Sequence, residues 1–424
     1  MTQLPAAIRL LTVIDSTDPL EVLAALRAAL AGGPAILPRP GGLGVVDAPP
    51  PAEAAAPALP THVDERIAVV VETSGTSGAP KRVALSADAL LASTAASAEA
   101  LGGGGQWLLA LPTHYIAGIQ VLVRSIAAET QPVILAPGHF AARDFASLAD
   151  TMTAPLCFTS LVPAQLSRLV EAGEADEGIR RSIARLDTIL IGGQALAAAL
   201  HARAAALGFT VTRTYGSSET AGGCVYDGRP IGAVRVRVTN GEVELSGPVL
   251  AEGYLGDEAL TAEKFTAEKF TAGQVPDAVP GQDAGRRWYR TNDAGEVTDG
   301  MVSVFGRRDN VIISGGVKVS LDRVERTVQE VSDYADALVV PVPSDEWGQV
   351  SVVVVAGGLV AGDVAGDMAG EAAELARIRS AVIAAAGREA APARILRLAS
   401  LPLLSSGKPD RRELARLATA ADRQ

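Results

Sequence analysis

Apolar positions along the chain follow two rhythms, and their alternation predicts the architecture. Residues 67–71 form a continuous apolar run and predict a buried strand. Residues 19–31 carry apolar side chains at helical spacing. Pro19 suits a first turn, and Gly32-Gly33 stops the helix. An Ala-rich helix is predicted over 86–101, with Ser86 as N-cap and Gly102 to Gly105 ending it. Residues 107–111 and 133–135 read as strands, with a helix over 116–128 between them. Residues 156–158 and 188–191 read as further short strands separated by helical stretches. Strand–helix alternation predicts an α/β domain with largely parallel strands, whose ligands bind beyond the strands' carboxyl ends.

Past Arg229 the rhythm changes. Residues 234–238 and 242–245 alternate strictly around Asn240-Gly241, a hairpin signal, so a small antiparallel unit follows the α/β part. Thr261-Ala262-Glu263-Lys264-Phe265 is repeated at once over 266–270, a local duplication read as lengthening a helix or loop. A second domain is predicted from Asp309 onward. It has a turn at Ser314-Gly315-Gly316, a helix over 324–331, strands over 337–342 and 350–356, a helix over 371–386 and a strand over 395–398. Residues 48–60, 271–286 and 357–370 are rich in Ala/Pro, Gly/Asp/Pro and Ala-Gly-Asp, and read as connectors and loops.

Composition narrows the class. With 424 residues the chain can bury two substantial cores. Hydrophobic residues make up 48% but aromatics only 4%, so those cores are aliphatic. A net charge of −11 leaves no basic face for nucleic acid. Cys157 and Cys224 are the only cysteines, which excludes a disulfide framework or a cysteine zinc site, and the four histidines lack metal-site spacing. The N-terminus lacks a signal-peptide pattern, and no apolar run reaches the ~20 residues of a membrane span, which reads as a cytoplasmic protein.

Five stretches carry chemistry, each placed after a predicted strand. Thr73-Ser74-Gly75-Thr76-Ser77-Gly78-Ala79-Pro80-Lys81 packs hydroxyls, glycines and a lysine into nine residues, which can surround a polyphosphate. It is not a Walker A loop, because Pro80 and Arg82 replace the glycine and hydroxyl that motif needs. A Ser/Gly-rich surface loop is the bland alternative. Tyr215-Gly216-Ser217-Ser218-Glu219-Thr220 ends an alternating segment. Tyr289-Arg290-Thr291-Asn292-Asp293 reads by itself as a solvated turn. Gly306-Arg307-Arg308-Asp309 precedes the apolar run 311–313 and Ser314-Gly315-Gly316, and the chain closes with Ser405-Ser406-Gly407-Lys408-Pro409-Asp410-Arg411.

Together, in this order, these stretches resemble the motifs of the acyl-adenylate-forming superfamily of acyl-CoA synthetases, adenylation domains and luciferases. The resemblance implies an α/β protein: a large N-terminal domain of α/β sheets plus a small antiparallel β unit (1–308), and a smaller mobile α+β C-terminal domain (309–424). It implies ATP, Mg2+ and CoA. Residues 73–78 and Lys81 would hold phosphates, Tyr215 with Gly216 would meet adenine, and Ser218 the α-phosphate. Glu219 would hold the metal, Asp293 and Arg307 the ribose or phosphates, and Gly193 and Gln194 would line the nucleotide pocket. Lys408 would be the adenylating lysine, Asp309 the hinge, and Gly315, Gly316 and Lys318 the CoA tunnel. Asn292 replaces a family glycine, a mild change because asparagine tolerates a left-handed backbone. Val317 is an unexplained departure.

The segment 111–125 stands where the family has P-x-x-H-x-x-G. Aligned on Gly118, Tyr115 takes the usual histidine place and His114 the aromatic one beside it. With 221–228, this segment resembles actinobacterial 2-succinylbenzoate–CoA ligases of menaquinone synthesis. His114, Tyr115, Gly222 and Gly223 would then border the acyl pocket. Arg124 and Arg213 are candidates for the acid's second carboxylate, although for each a surface arginine is the simpler expectation. Another aryl- or acyl-CoA ligase, a stand-alone enzyme loading a carrier protein, and a non-catalytic nucleotide-binding protein share the same motifs. Expected partners are a small carboxylic acid, ATP and CoA, with no nucleic acid and no membrane span; a homodimer stays open.

Overall fold

The computed structural model describes residues 7–41, 58–73, 80–138, 140–267, 286–331, 334, 336–357, 368–404 and 408–421. Ser74 to Gly78, the second copy of the duplication beyond Ala267, Ser405 to Gly407, and most of the three connectors lie outside them.

Four sheets organise the chain. The first has six strands in the order Gly253–Tyr254, Lys81–Ser86, Ile67–Thr73, Ala35–Arg39, Ile8–Asp15 and His62–Asp64. The second has seven: Arg229–Pro230, Gly222–Tyr226, Val211–Ser217, Thr188–Ile191, Cys157–Leu161, Gln106–Leu109 and Val133–Ile134. The expectation of largely parallel strands holds in the second sheet, where the pairs from Val211–Ser217 to Val133–Ile134 are parallel. It does not hold in the first, where Ile67–Thr73 and Lys81–Ser86 pair as an antiparallel hairpin. The loop between those strands is too short for the crossover that parallel pairing requires.

Helices cover these sheets for reasons visible in their ends. Asp18 caps Pro19–Leu30, its side chain accepting the Leu20 N–H, and Ser86 caps Ala87–Ala100 by accepting the Ala89 N–H. The Ile116–Ala127 helix is buried over Gly118 to Ser125. With the two capped helices it fills the aliphatic core between the first and second sheets. A second core, built on Phe145, Leu161, Leu166, Ile183 and Phe209, lies under the helices Ala142–Ala149, Pro163–Ala175, Glu177–Ala184 and Ala198–Ala206.

The third sheet is antiparallel. The Arg235–Thr239/Glu242–Ser246 hairpin joins Arg287–Thr298, which pairs in turn with Met301–Arg307. The duplication does not extend one element. Its first copy ends the Glu258–Lys264 helix, and its second begins in the Phe265–Ala267 strand. Identical side chains take both forms because Phe265 and Thr266 find register partners in Tyr289 and Trp288.

The fourth sheet carries the Val311–Ser314/Val317–Ser320 hairpin, turning at Gly315-Gly316, beside Gly348–Ala356, Leu338–Ser344 and Ile395–Leu398. Its two apolar clusters draw only on residues from Ile312 onward, while the other clusters draw only on residues up to Val302 and its neighbour Val304. The Arg411–Ala421 helix closes this unit, with Leu414 and Ala418 buried. Among the described residues no helix is long and apolar enough to cross a membrane.

Candidate functional site

The hydroxyl-rich segment leaves the first sheet at Thr73 and returns at Lys81, which are register partners. Its stem is clamped by Glu72. Arg39 donates to both Glu72 oxygens at 2.8 and 2.5 Å, and Arg82 donates at 3.2 Å. Burial would raise the Glu72 carboxyl, but these two guanidiniums outweigh it and hold it below its ordinary value. The residues within the loop lie outside the described ones, yet its two ends are fixed.

Beside that stem sits Tyr254. Lys81 Nζ lies 5.8 Å from the centre of its ring, and its hydroxyl donates to Glu219 Oε1 at 2.8 Å. Glu219 is buried in a short 3-10 turn after Ser217, and Ser218 is buried with it. Burial, with the Glu219 carboxylate next, raises the Tyr254 phenol, which therefore stays a donor.

Tyr215 and Asp293, 78 residues apart, meet directly: the tyrosine hydroxyl donates to Asp293 Oδ2 at 2.6 Å. Neither lies in a turn after a strand, as expected from the sequence. Tyr215 and Gly216 are inside Val211–Ser217, and Asp293 is inside Arg287–Thr298. A bulge explains the difference. Asn292 takes a left-handed φ of 65°, so the strand continues while its local direction changes. Asp293 is thus no solvated turn residue. Burial raises its carboxyl above the ordinary value, with Tyr215 and Arg307 opposing. Arg307 Nε is 3.8 Å from Asp293 Oδ1, and the same guanidinium donates to both oxygens of Asp309 at 3.0 and 2.9 Å.

Gly216 and Gly193 show why the motifs need glycine. A Cβ on Gly216 would fall 2.1 Å from the Gly222 carbonyl oxygen of the paired strand. Gly193 follows Thr188–Ile191 with φ 82°, and a Cβ there would lie 2.8 Å from Lys408 Cε and 3.4 Å from Nζ. Lys408 keeps an exposed surface, but its ammonium end reaches the carboxyl edge of the second sheet, where burial lowers its pKa. Its loop is pinned. Leu404 N–H donates to the Lys408 carbonyl at 2.8 Å, Asp410 N–H to Pro402 at 2.9 Å, and Arg411 pairs with Glu325 at 2.6 Å.

The strand ends are neighbours. Arg213 pairs with Ile191, and Gly216 with Gly223, so Gly193, Tyr215, Gly222 and the Lys408 ammonium share one edge. The expected acyl group divides. A Cβ on Gly222 would sit 3.2 Å from Gln120 Cγ and near Ile116. His114 instead lines a cavity of about 480 Å³ with Ser16, Pro112, Val162, Gln165 and Leu403. His114 Nδ1 is 3.0 Å from Ser16 Oγ, its ring tilts over Tyr115 at 4.2 Å, and its buried Nε2 has no partner. Burial pushes its pKa down to about 4. Gly315, Gly316 and Lys318 are exposed on the fourth sheet, with Gly315 N–H bonded to the Trp347 carbonyl at 3.0 Å. Gln194 is half-buried after the exposed Gly193.

Two residues went unread or misread in the sequence. Tyr254 joins Lys81 to Glu219; with only six tyrosines in the chain, its rarity was the available signal. Arg124 is not a surface arginine. It is 6% exposed, lies 4.7 Å over the Trp107 ring, and reaches Ser160 Oγ at 3.4 Å and the Tyr226 hydroxyl at 3.3 Å. Its Nε is buried without a partner, and among the described residues it pairs with no carboxylate. The apolar neighbours at Val121 to Val123 were the clue, since they mark a helix buried nearly all round. Arg213 is the surface arginine, paired with Asp227 at 3.0 Å.

Known proteins resemble this chain in sequence and fold. A probable 2-succinylbenzoate–CoA ligase of Mycobacterium tuberculosis is 36% identical over 360 residues, 84% of this chain and 85% of that protein. The 2-succinylbenzoate–CoA ligase of Escherichia coli is 30% identical over 300 residues, 68% of this chain and 58% of that one. Among solved structures, the o-succinylbenzoate coenzyme A synthetase of Bacillus subtilis in complex with ATP and magnesium ion superposes with a TM-score of 0.62 at 22% identity, covering 84% and 72% of the two chains. The family model for AMP-binding enzymes matches residues 39–255, from the Arg39 clamp to the strand that carries Tyr254, so the chain belongs to the AMP-binding enzyme family.

Proposed function

We propose that this chain is an ATP-dependent acid–CoA ligase, forming an acyl-adenylate and then a CoA thioester, and that its acid is 2-succinylbenzoate. The observation that carries the reading is the meeting of Tyr215 with Asp293, next to the strand end where the Lys408 ammonium lies against Gly193. The related ligases named above support the choice of acid.

In the first half-reaction a carboxylate oxygen attacks the α-phosphorus of ATP and pyrophosphate leaves. Two anions must approach, so cations have to be in place beforehand. Lys408 is positioned to lie between carboxylate and α-phosphate, and Lys81 beside the departing phosphates. Tyr215 and Asp293 hold the nucleoside, Asp293 offering its oxygens to ribose hydroxyls. Mg2+ fits Glu219. Tyr254 occupies one carboxylate oxygen, and Mg2+ takes one or two carboxylates plus phosphate oxygens rather than an all-protein cage. Bound there, the ion would neutralise phosphate charge. In the second half-reaction the CoA thiolate attacks the acyl carbonyl and AMP leaves. The domain reading, 1–308 and 309–424, assigns Asp309 the hinge, with Gly315, Gly316 and Lys318 reaching the thioester site after rotation.

Arg124 is the proposed holder of the second carboxylate. Ile116 and Gln120 adjoin Gly222, and Arg124 is one turn further along that helix face. A buried guanidinium without a carboxylate is costly unless a ligand supplies one. An acid panel with ATP, with and without CoA, read by pyrophosphate release and thioester mass, tests the whole reading; 2-succinylbenzoate is expected to lead. Arg124→Met should raise the KM for 2-succinylbenzoate about a hundredfold while sparing the KM for ATP. Equal loss for both substrates would remove Arg124 from the acid site.

A further inference from the structure

The Asn240-Gly241 hairpin signalled a fold element and nothing more, yet its first residue after the turn makes an unusual set of contacts. The Glu242 side chain is 3% exposed. Its Oε1 accepts the backbone N–H of Asn292 at 2.9 Å. Its Oε2 accepts Arg290 Nη2 at 2.9 Å and Arg308 Nη1 at 2.8 Å. The ring then closes, because the Arg308 backbone N–H donates to the Asn292 carbonyl at 2.9 Å.

The position matters more than the number of bonds. Asn292 is the left-handed residue that directs Asp293 at Tyr215. The register of Glu242–Ser246 against Arg287–Thr298 shifts between Glu242 and Glu244, and that of Met301–Arg307 shifts between Ala294 and Gly295. The strand is therefore irregular on both sides at the point where Asp293 sits, and the Glu242 carboxylate satisfies the N–H that the irregularity frees. Arg308 lies between Arg307, which reaches Asp293, and Asp309.

We propose that Glu242 is a positioning residue that ties the nucleotide aspartate to the segment about which the smaller lobe turns. One oxygen sets the aim of Asp293. The other holds Arg308 in the orientation that places Lys408 against Gly193. The inference rests on the ligase reading above, since it assigns Asp293 to the nucleotide and Asp309 to the hinge. Glu242 touches no reacting atom; it acts through Asn292 and Arg308.

The test uses the full chain and the variants Glu242→Gln and Arg308→Gln, singly and together. Glutamine keeps an acceptor for the Asn292 N–H but removes the charge that holds both guanidiniums. Loss of a charge-assisted bond predicts about a tenfold rise in the KM for ATP. It also predicts pyrophosphate release slowed more than thioester formation from supplied 2-succinylbenzoyl-adenylate. The double variant should be little worse than Glu242→Gln, because both remove one contact. A residue that only stabilised the hairpin would lower the folded fraction and the melting temperature, leaving the KM and the ratio of half-reactions of the remaining enzyme unchanged. That result overturns the proposal. If Glu242→Gln fails to fold, Arg308→Gln, at the surface, reads the same contact, and a wild-type KM and ratio in that variant also overturn it. Wild-type protein that binds no ATP by calorimetry would sink the ligase reading instead, a different outcome.

Discussion

At the scale of single residues, the site depends on charges whose surroundings differ. Burial lowers the pKa of the Lys408 ammonium, and Lys408 is the cation nearest the strand edge where carboxylate and phosphate must meet. Lys408→Ala should slow adenylate formation by about 10²–10³ yet leave thioester formation from supplied acyl-adenylate within about threefold. Equal losses in a half-reaction assay would refute its role. His114 yields a prediction in pH. Its imidazole is pushed down to about 4 by burial, against an ordinary value of 6.5, so the unfolded chain binds the extra proton first as pH falls. Stability from a neutral His114 is complete above 6.5 and is lost progressively as pH falls toward 4. His114→Asn keeps a polar partner for Ser16 and should flatten the decline in urea midpoint between pH 6.5 and 5. An unchanged slope would exonerate His114.

At the scale of elements, the same amino acids were read well where local chemistry decides and poorly where partners decide. Pro19 in a first turn, the helix cap at Ser86, the Asn240-Gly241 turn and the Gly315-Gly316 turn need only their own side chains or backbone freedom, and each stands where the pattern put it. Asp293 was legible as a motif but not as a strand residue, because its conformation depends on Glu242 and Arg307 from other strands. Strands such as Ile8–Asp15 and Lys81–Ser86 left weaker marks: the first is half-exposed and irregular in pattern, the second is hidden behind the motif it closes. Arg124 was illegible for another reason, since burial of a charge contradicts the statistics that any composition argument uses. The bulge at Asn292 makes a test of this scale. A left-handed φ costs a β-branched residue about 1–2 kcal/mol, so Asn292→Val should lower stability by that much in denaturant titration, and Asn292→Gly should stay within about 0.5 kcal/mol of wild type. If valine is tolerated as well as glycine, the bulge is not the constraint described here.

At the scale of the whole molecule, the division of apolar clusters near residues 302–312 sets how the parts respond to ligand. Clusters on either side share no member, so each part has a core of its own, the condition for independent unfolding. Tyr215, Asp293, Glu219 and Lys81 all belong to the larger part, whereas Lys408 belongs to the smaller and lays its ammonium end beside Gly193 of the larger. AMP carries the adenine and ribose, which meet only the larger part, and of the two anions assigned to Lys408 it supplies the α-phosphate alone, which the larger part also holds. Its binding energy should therefore fall almost wholly on the larger part. At a hundredfold excess over its Kd, a ligand adds about 2.7 kcal/mol to the state it binds, which for about 300 residues raises the midpoint by roughly 5 °C. Differential scanning calorimetry should show two transitions, the larger rising by that amount with AMP and the smaller moving by less than about 1 °C. A stable analogue of the acyl-adenylate supplies the missing acyl group and should begin to draw the smaller transition upward through Lys408, an effect that Lys408→Ala would abolish. A single transition, or two that rise together with AMP alone, would mean that the contacts joining the lobes, Arg307 with Asp309 and with Asp322 among them, couple the two cores into one unfolding unit, and the separation argued from the apolar clusters would fail.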